Sequence, residues 1–313
     1  MNPKVKGSIC GIVAAVCYGS NPLGALPLYA QDIGPQSVLL YRFAVAALLL
    51  ALLMVARRQS LAVSARQLAI LLPLGALFAV SSLTLFISFH YLDAGVASTI
   101  LFVYPVMVAV IMTVFFRERL TAATVVSIGL ALCGIVLLSN GDGGKPVSAF
   151  GIVLVLVSSL SYAIYIVAVN RSPLRMSSFA LTFYVLLAAT ATVAAYAAVS
   201  GNSLQWLHGA SQWAPALMLA VLPTIMSLVL MAVAVRLIGS TPTAIMGALE
   251  PLTAVLIGIG VFGEPFTMRL AVGIVLILVA VMLIIAGKSL STRPLKAAIS
   301  FAGHMLHKVW LWK

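Results

Sequence analysis

Charge is what this sequence has least of. Only 8% of its 313 residues are Asp, Glu, Lys or Arg, and 63% are apolar, whereas about a quarter of a soluble chain is charged. That excludes an ordinary soluble domain and leads to the expectation of a membrane protein. Acids are scarcest of all: six Asp and Glu stand against 18 Lys and Arg, for a net charge of +12. In a soluble chain such a balance would raise nucleic acid as a partner. Here the basic residues stand singly or in pairs between long apolar runs, where they act as topology signals. The three cysteines, Cys10, Cys17 and Cys133, fall inside apolar runs without CxxC spacing or histidine partners, so they are read as small packing residues and no metal is expected. Of four histidines, three lie in polar loops or the tail. The chain has no GxSxG, HExxH, Asp-rich metal motif or ATP-binding loop. An intramembrane enzyme therefore lacks its convergent groups, a channel lacks a selectivity element, and any driving force must be a gradient.

What the chain has is apolar runs. About 20 mostly apolar residues cross about 30 Å of hydrocarbon. On that measure the spans are 7–28, 36–56, 67–89, 95–116, 122–139, 149–170, 177–199, 214–235, 240–262 and 270–287. The predicted class is an all-α membrane protein with ten transmembrane helices. Lys4 and Lys6 ahead of the first run resemble a signal peptide, but further spans follow and the run is expected to stay as the first helix. The loop from Ser200 to Trp213 carries Trp206 and Trp213, which suit the headgroup layer.

Counting alternate sides, one face receives Lys4, Lys6, Arg57, Arg58, Arg66, Arg117, Arg119, Arg171, Arg175 and Arg236, together with Lys288, Arg293, Lys296, Lys308 and Lys313. The other receives only Lys145 and Arg269, and Arg42 falls inside a span. This bias places both termini in the cytoplasm of a cell with the chain in its inner membrane. The tail, 288–313, spreads Lys and two Trp among Leu, Ile, Phe and Met. It reads either as a helix lying on the inner leaflet or as a disordered segment.

The chain also repeats. Tyr104-Pro105 in the fourth span corresponds to Glu250-Pro251 in the ninth, and Glu118 with Leu120-Thr121 corresponds to Glu264 with Phe266-Thr267, each pairing 146 positions apart. Tyr18 in the first span aligns with Tyr162 in the sixth at an offset of 144. Duplication gives halves 1–141 and 142–287. Five helices is an odd number, so the second copy must enter from the opposite face, giving an inverted repeat.

Two five-helix repeats, each with a proline in its fourth helix, a Glu followed by a Leu-Thr-like turn, and a Gly-rich fifth helix (129–134 and 273–280), resemble the EamA family of the drug/metabolite transporter superfamily. The resemblance covers 7–287. It implies a ten-helix exporter whose cavity is lined by helices one to four and six to nine, with five and ten packed together as scaffold. It also implies a small-molecule cargo (amino acids, other metabolites or drugs) and no bound cofactor. The chain departs from the small multidrug branch, which relies on an acid in its first helix, because neither the first nor the sixth span has a carboxylate.

Glu250 sits near mid-bilayer, where an ionised carboxylate is costly unless paired or wet. It reads as a ligand for a substrate amine, as a proton-titrating switch with protons as coupling ion, or as a protonated acid bonded to a neighbouring helix. Pro251 frees a carbonyl one turn earlier and, with Pro105 and Pro22, is a candidate hinge. Arg42 either captures a substrate carboxylate through its donor fork or snorkels to the outer headgroups. A lone Arg and a lone Glu could grip the two ends of a zwitterion. Asn21, before Pro22, points either to an unwound outer end of the first span whose carbonyls it satisfies or, equally, to helix capping within the protein. Ser158, Ser159, Ser161, Tyr162 and Tyr165 form a small polar stripe that fits packing or substrate contact equally. Tyr18, Tyr104, Ser81, Ser82, Thr84, Thr224 and Ser227 are weaker candidates of the same kind. His90 and Asp93 mark an external turn facing water, with a proton relay as the other reading. These residues point to a secondary transporter exporting amino acids or related zwitterions by alternating access. A lipid or drug transporter of the same architecture is the alternative.

Overall fold

The computed structural model describes residues 2–285, except 60, 118–121, 140–147, 175, 202, 240–242, 244, 245 and 284. The expected boundary at 141–142, the Glu118 turn and the tail from 288 lie outside the described residues. Among those described there is no strand.

The first half runs α1 (Pro3–Gly19), α2 (Asn21–Tyr29), α3 (Pro35–Ala56), α4 (Ala65–Ser88), α5 (Ala94–Leu101), α6 (Tyr104–Phe116) and α7 (Ala122–Ser139). The second runs α8 (Ala149–Arg171), α9 (Ser178–Val199), α10 (Gly209–Ala220), a π-helical turn (Val221–Met226), α11 (Ser227–Ile238), α12 (Leu249–Phe262) and α13 (Met268–Leu283). Joined across their bends, these give, among the described residues, seven helices long and apolar enough to cross a membrane by length and composition. The apolar helices Thr124–Leu138, Leu249–Phe262 and Met268–Leu283 are shorter. Apolar side chains such as Leu52, Val55, Phe115, Val125 and Leu256 point outward, while Phe43, Phe86, Leu39 and Ile100 fill the centre.

Four elements differ from the expectation. The ninth span does not run as one helix from 240 to 262: it turns at Gly247–Ala248 and α12 starts at Leu249, just ahead of Glu250-Pro251. The fourth span is not one helix from 95 to 116 but breaks at Phe102–Val103, directly before Tyr104-Pro105, where proline has no N–H and crowds the preceding turn. The outer end of the first span is not unwound. The helix stops only at Ser20 and resumes through α2, because proline is well accommodated in a first turn. The eighth span starts at Gly209 rather than Ala214, since the Gln212 side chain accepts from the His208 amide at 2.7 Å and closes the helix start. Trp213 therefore sits on a helix, edge-on to Tyr41 at 5.5 Å.

The halves interleave. α1 packs on α11, α8 on α4, α3 on α9 and α5 on α12. α7 and α13 approach through glycines: a Cβ on Gly134 would lie 2.7 Å from Ile277, and one on Gly273 would lie 2.7 Å from Leu138. Small residues permit such backbone approach in membranes.

Candidate functional site

Each proline inside an apolar helix deprives the carbonyl four residues earlier of its donor, and in a bilayer that carbonyl must find another. Side chains supply it at three bends. Pro22 frees the Tyr18 carbonyl, which accepts from Asn21 Nδ2 at 2.8 Å. Pro105 frees that of Leu101, which accepts from the Ser159 hydroxyl at 3.1 Å. Pro223 frees that of Leu219, which accepts from the Thr224 hydroxyl at 2.9 Å. At Pro251 the backbone does the work, the Glu250 amide donating to Gly247 O at 2.9 Å.

Arg42 joins two of these caps. Its Nη1 donates to Asn21 Oδ1 at 2.8 Å and its Nε to Thr224 Oγ1 at 2.9 Å. The guanidinium carbon lies 5.5 Å and 5.7 Å from the ring centres of Phe86 and Phe43. At 3% exposure it does not snorkel. The planar fork lets one side chain serve both acceptors, tying the bend of the first span to the π turn of the eighth.

Glu250 opens on a pocket walled by Tyr18, Gly19, Asn21, Leu85, Ser98, Leu101, Phe102, Tyr104, Tyr162 and Pro251. Both halves contribute to this wall. Its interatomic space is about 400 Å³, but only about 20 Å³ admits the centre of a water molecule, and a single water needs about 10–15 Å³ on that measure. The pocket is thus closed down to one or two waters. Gly19 makes the approach of α1 to α12 feasible, since a Cβ there would lie 2.4 Å from the Glu250 carbonyl. Tyr104 stands edge-on to Tyr162 at 4.8 Å, and Tyr162 stacks on Tyr165 at 5.9 Å. Tyr18 is within electrostatic reach of both Glu250 and Arg42.

Of the sequence candidates, Glu250, Tyr18, Asn21, Tyr104, Tyr162 and Pro251 converge on this pocket. Arg42 stands one hydrogen bond behind it, through Asn21. Ser158 does not line it: its hydroxyl donates to the Ser81 carbonyl at 2.6 Å, fastening α8 to α4. Tyr165 packs against Phe78. Ser82 and Ser227 are not among the lining residues, and Ser227 is buried. Gly19, Ser98, Leu101 and Phe102 were not among the candidates. A rule placing the freed carbonyl four residues before Pro105 would have singled out Leu101.

Beyond the spans, Glu264 accepts from the amides of Ala94 at 2.6 Å and Gly95 at 3.1 Å, capping α5. Burial pushes its carboxyl above the ordinary value although these amides pull the other way, and the nearby Asp93 adds to the rise. Asp93 is raised by burial too. His90 is exposed, stacked on Tyr29 at 4.6 Å.

The model of the EamA-like transporter family matches residues 5–140 and again 149–286. The chain belongs to the EamA-like transporter family. An uncharacterized transporter of Archaeoglobus fulgidus is 30% identical over 61% of this chain and 67% of its own length. The uncharacterized transporter YcbK of Bacillus subtilis is 24% identical over 82% of this chain and 86% of its own. A crystal structure 18% identical in sequence aligns over 92% of this chain and 98% of its own with a TM-score of 0.66, a likeness of fold. EamA membership and the apolar spans make this a multi-pass membrane protein of the transporter type, with a small molecule as its cargo.

Proposed function

We propose that this EamA protein is a secondary exporter of amino acids or related zwitterions, working by alternating access. The observation that carries the reading is the pocket shared by both halves, where Glu250 sits among Tyr18, Tyr104 and Tyr162. A carboxylate among three tyrosines suits a substrate ammonium. Arg42 lies behind Asn21, placed to receive a carboxylate if that amide swings aside. Glu250 is also the group to carry a coupling proton. The closed pocket is too small for an amino acid, so its walls must separate. They belong to helices already bent at Pro22, Pro105 and Pro251, the hinges in this reading.

The architecture we propose is ten membrane-crossing helices in two inverted repeats, 1–141 and 142–287, in the inner membrane with both termini cytoplasmic. Supporting it, the helix contacts map onto themselves when the halves are exchanged. The first helix of each half packs on the third of the other, and the two second helices and the two fourth helices pair. Rocking of one repeat against the other then exposes the site alternately.

Counterflow of labelled amino acids into vesicles tests the reading, comparing wild type with Glu250→Gln and Arg42→Gln. Loss of uptake in both is expected; unchanged uptake in both would remove the proposal.

A further inference from the structure

A second hollow shares no residue with the central pocket. It lies between α3, α9 and α11 and is lined by Leu50, Phe179, Ile225, Leu228, Val229 and Ala232, with Ser178 and Thr182 of α9 also in its wall. Its interatomic space is about 300 Å³, and Leu228 in its wall is 38% exposed. We propose that this groove binds one acyl chain of an anionic phospholipid, in the leaflet on the side of Arg57.

Length and charge both select that occupant. Ile225, Leu228, Val229 and Ala232 form one face of a helix, and Arg236 continues that face one turn beyond Ala232. From Ile225 to Arg236 a helix rises about 16 Å at about 1.5 Å per residue, close to the roughly 15 Å half-thickness of a bilayer's hydrocarbon. Leu50 lies two turns inward from Arg57 on α3. The Arg57 guanidinium is 5.1 Å from the ring centre of Phe179, a lining residue, so a positive charge stands at the mouth of the groove. Arg57 and Arg236 fall on the same side of the membrane, and the charge bias makes that side cytoplasmic, where anionic lipid is recognised by basic side chains. The deep end of the groove is Ile225, in the π turn whose Thr224 holds Arg42. The chain thus lies against the bend that anchors the central cation.

Native mass spectrometry of the full chain, released from detergent containing equimolar phosphatidylglycerol and phosphatidylcholine, tests this. Wild type should retain phosphatidylglycerol in preference. Arg57→Gln should lower that preference about fivefold, as expected for one basic side chain beside an anionic headgroup, and adding Arg236→Gln should lower it further. Ala232→Phe should block the groove and remove the adduct while the arginines remain. Equal retention of the two lipids by wild type, absence of any adduct, or a preference that survives the double arginine variant would overturn the proposal. None of these outcomes depends on which solute the central site carries.

Discussion

Glu264 caps the first turn of α5 from 170 residues away, its Oε1 accepting from the Ala94 amide. Asp93, the residue positioned to cap that helix locally, makes no such bond. Glu264 reaches α5 by lying flat against Gly258, where a Cβ would sit 2.1 Å from Oε2. Gly258→Ala should therefore displace the carboxylate and leave two helix amides uncapped, at a cost of about 1–2 kcal/mol. A thermal midpoint in detergent unchanged from wild type would show that the cap contributes nothing.

The same carboxyl predicts a pH dependence. Its value in the capped arrangement is raised above the ordinary 4.5 by burial, so that arrangement binds more protons than one with Glu264 in water. Linkage then makes the capped form most favoured below about 4.5, losing ground as pH rises through the raised value. Asp93, raised by burial, has the same sign. Thermal midpoints taken stepwise through mildly acidic pH should fall with rising pH in wild type, and the slope should shrink in Glu264→Gln. An identical slope in the variant would assign the effect elsewhere.

Ser159 and Pro105 should be coupled although they lie on different helices. Ser159→Ala leaves the Leu101 carbonyl without its donor, at a cost of about 1–3 kcal/mol. Pro105→Ala returns a backbone N–H to that carbonyl, so Ser159→Ala made in that background should cost little. A double-mutant cycle on thermal stability measures the difference; additive effects would mean that the serine does not act through the freed carbonyl.

Asn21→Ala and Thr224→Val each strip one partner from the buried Arg42 guanidinium as well as one cap from a bend. Each should destabilise by about 2–3 kcal/mol, more than an ordinary hydrogen-bond deletion, because a charge is involved. Arg42→Lys should not substitute, since a single ammonium cannot reproduce the fork. Midpoints near wild type for Arg42→Lys would show that only the charge matters.

Much of this was legible in the sequence, because hydrophobic length and proline position act locally. Most of the apolar runs gave their helices, although the fourth and ninth break ahead of their prolines; Pro22, Pro105 and Pro251 marked three bends, and Glu250 announced itself as an acid where no acid belongs without a cavity. What could not be read is which side chain from another helix completes each bend. Ser159 looked like one small residue in a stripe, and only the packing of α8 brings it to Leu101. Ser158, its neighbour, carries the same hydroxyl to a different helix and fastens α4. Arg42 was ambiguous for the same reason: depth along a helix is a property of sequence, but the direction the side chain takes is decided by Asn21 and Thr224, 21 and 182 positions away.

The caps at Pro22, Pro105 and Pro223 also bear on how such a molecule can move. A helix closed by its own backbone must unravel to flex, but at these points the closure is a lone amide or hydroxyl that can trade its carbonyl for water or for a passing solute. Each bend is then an articulation whose stiffness is one exchangeable bond, and the helix on either side stays intact while the joint turns.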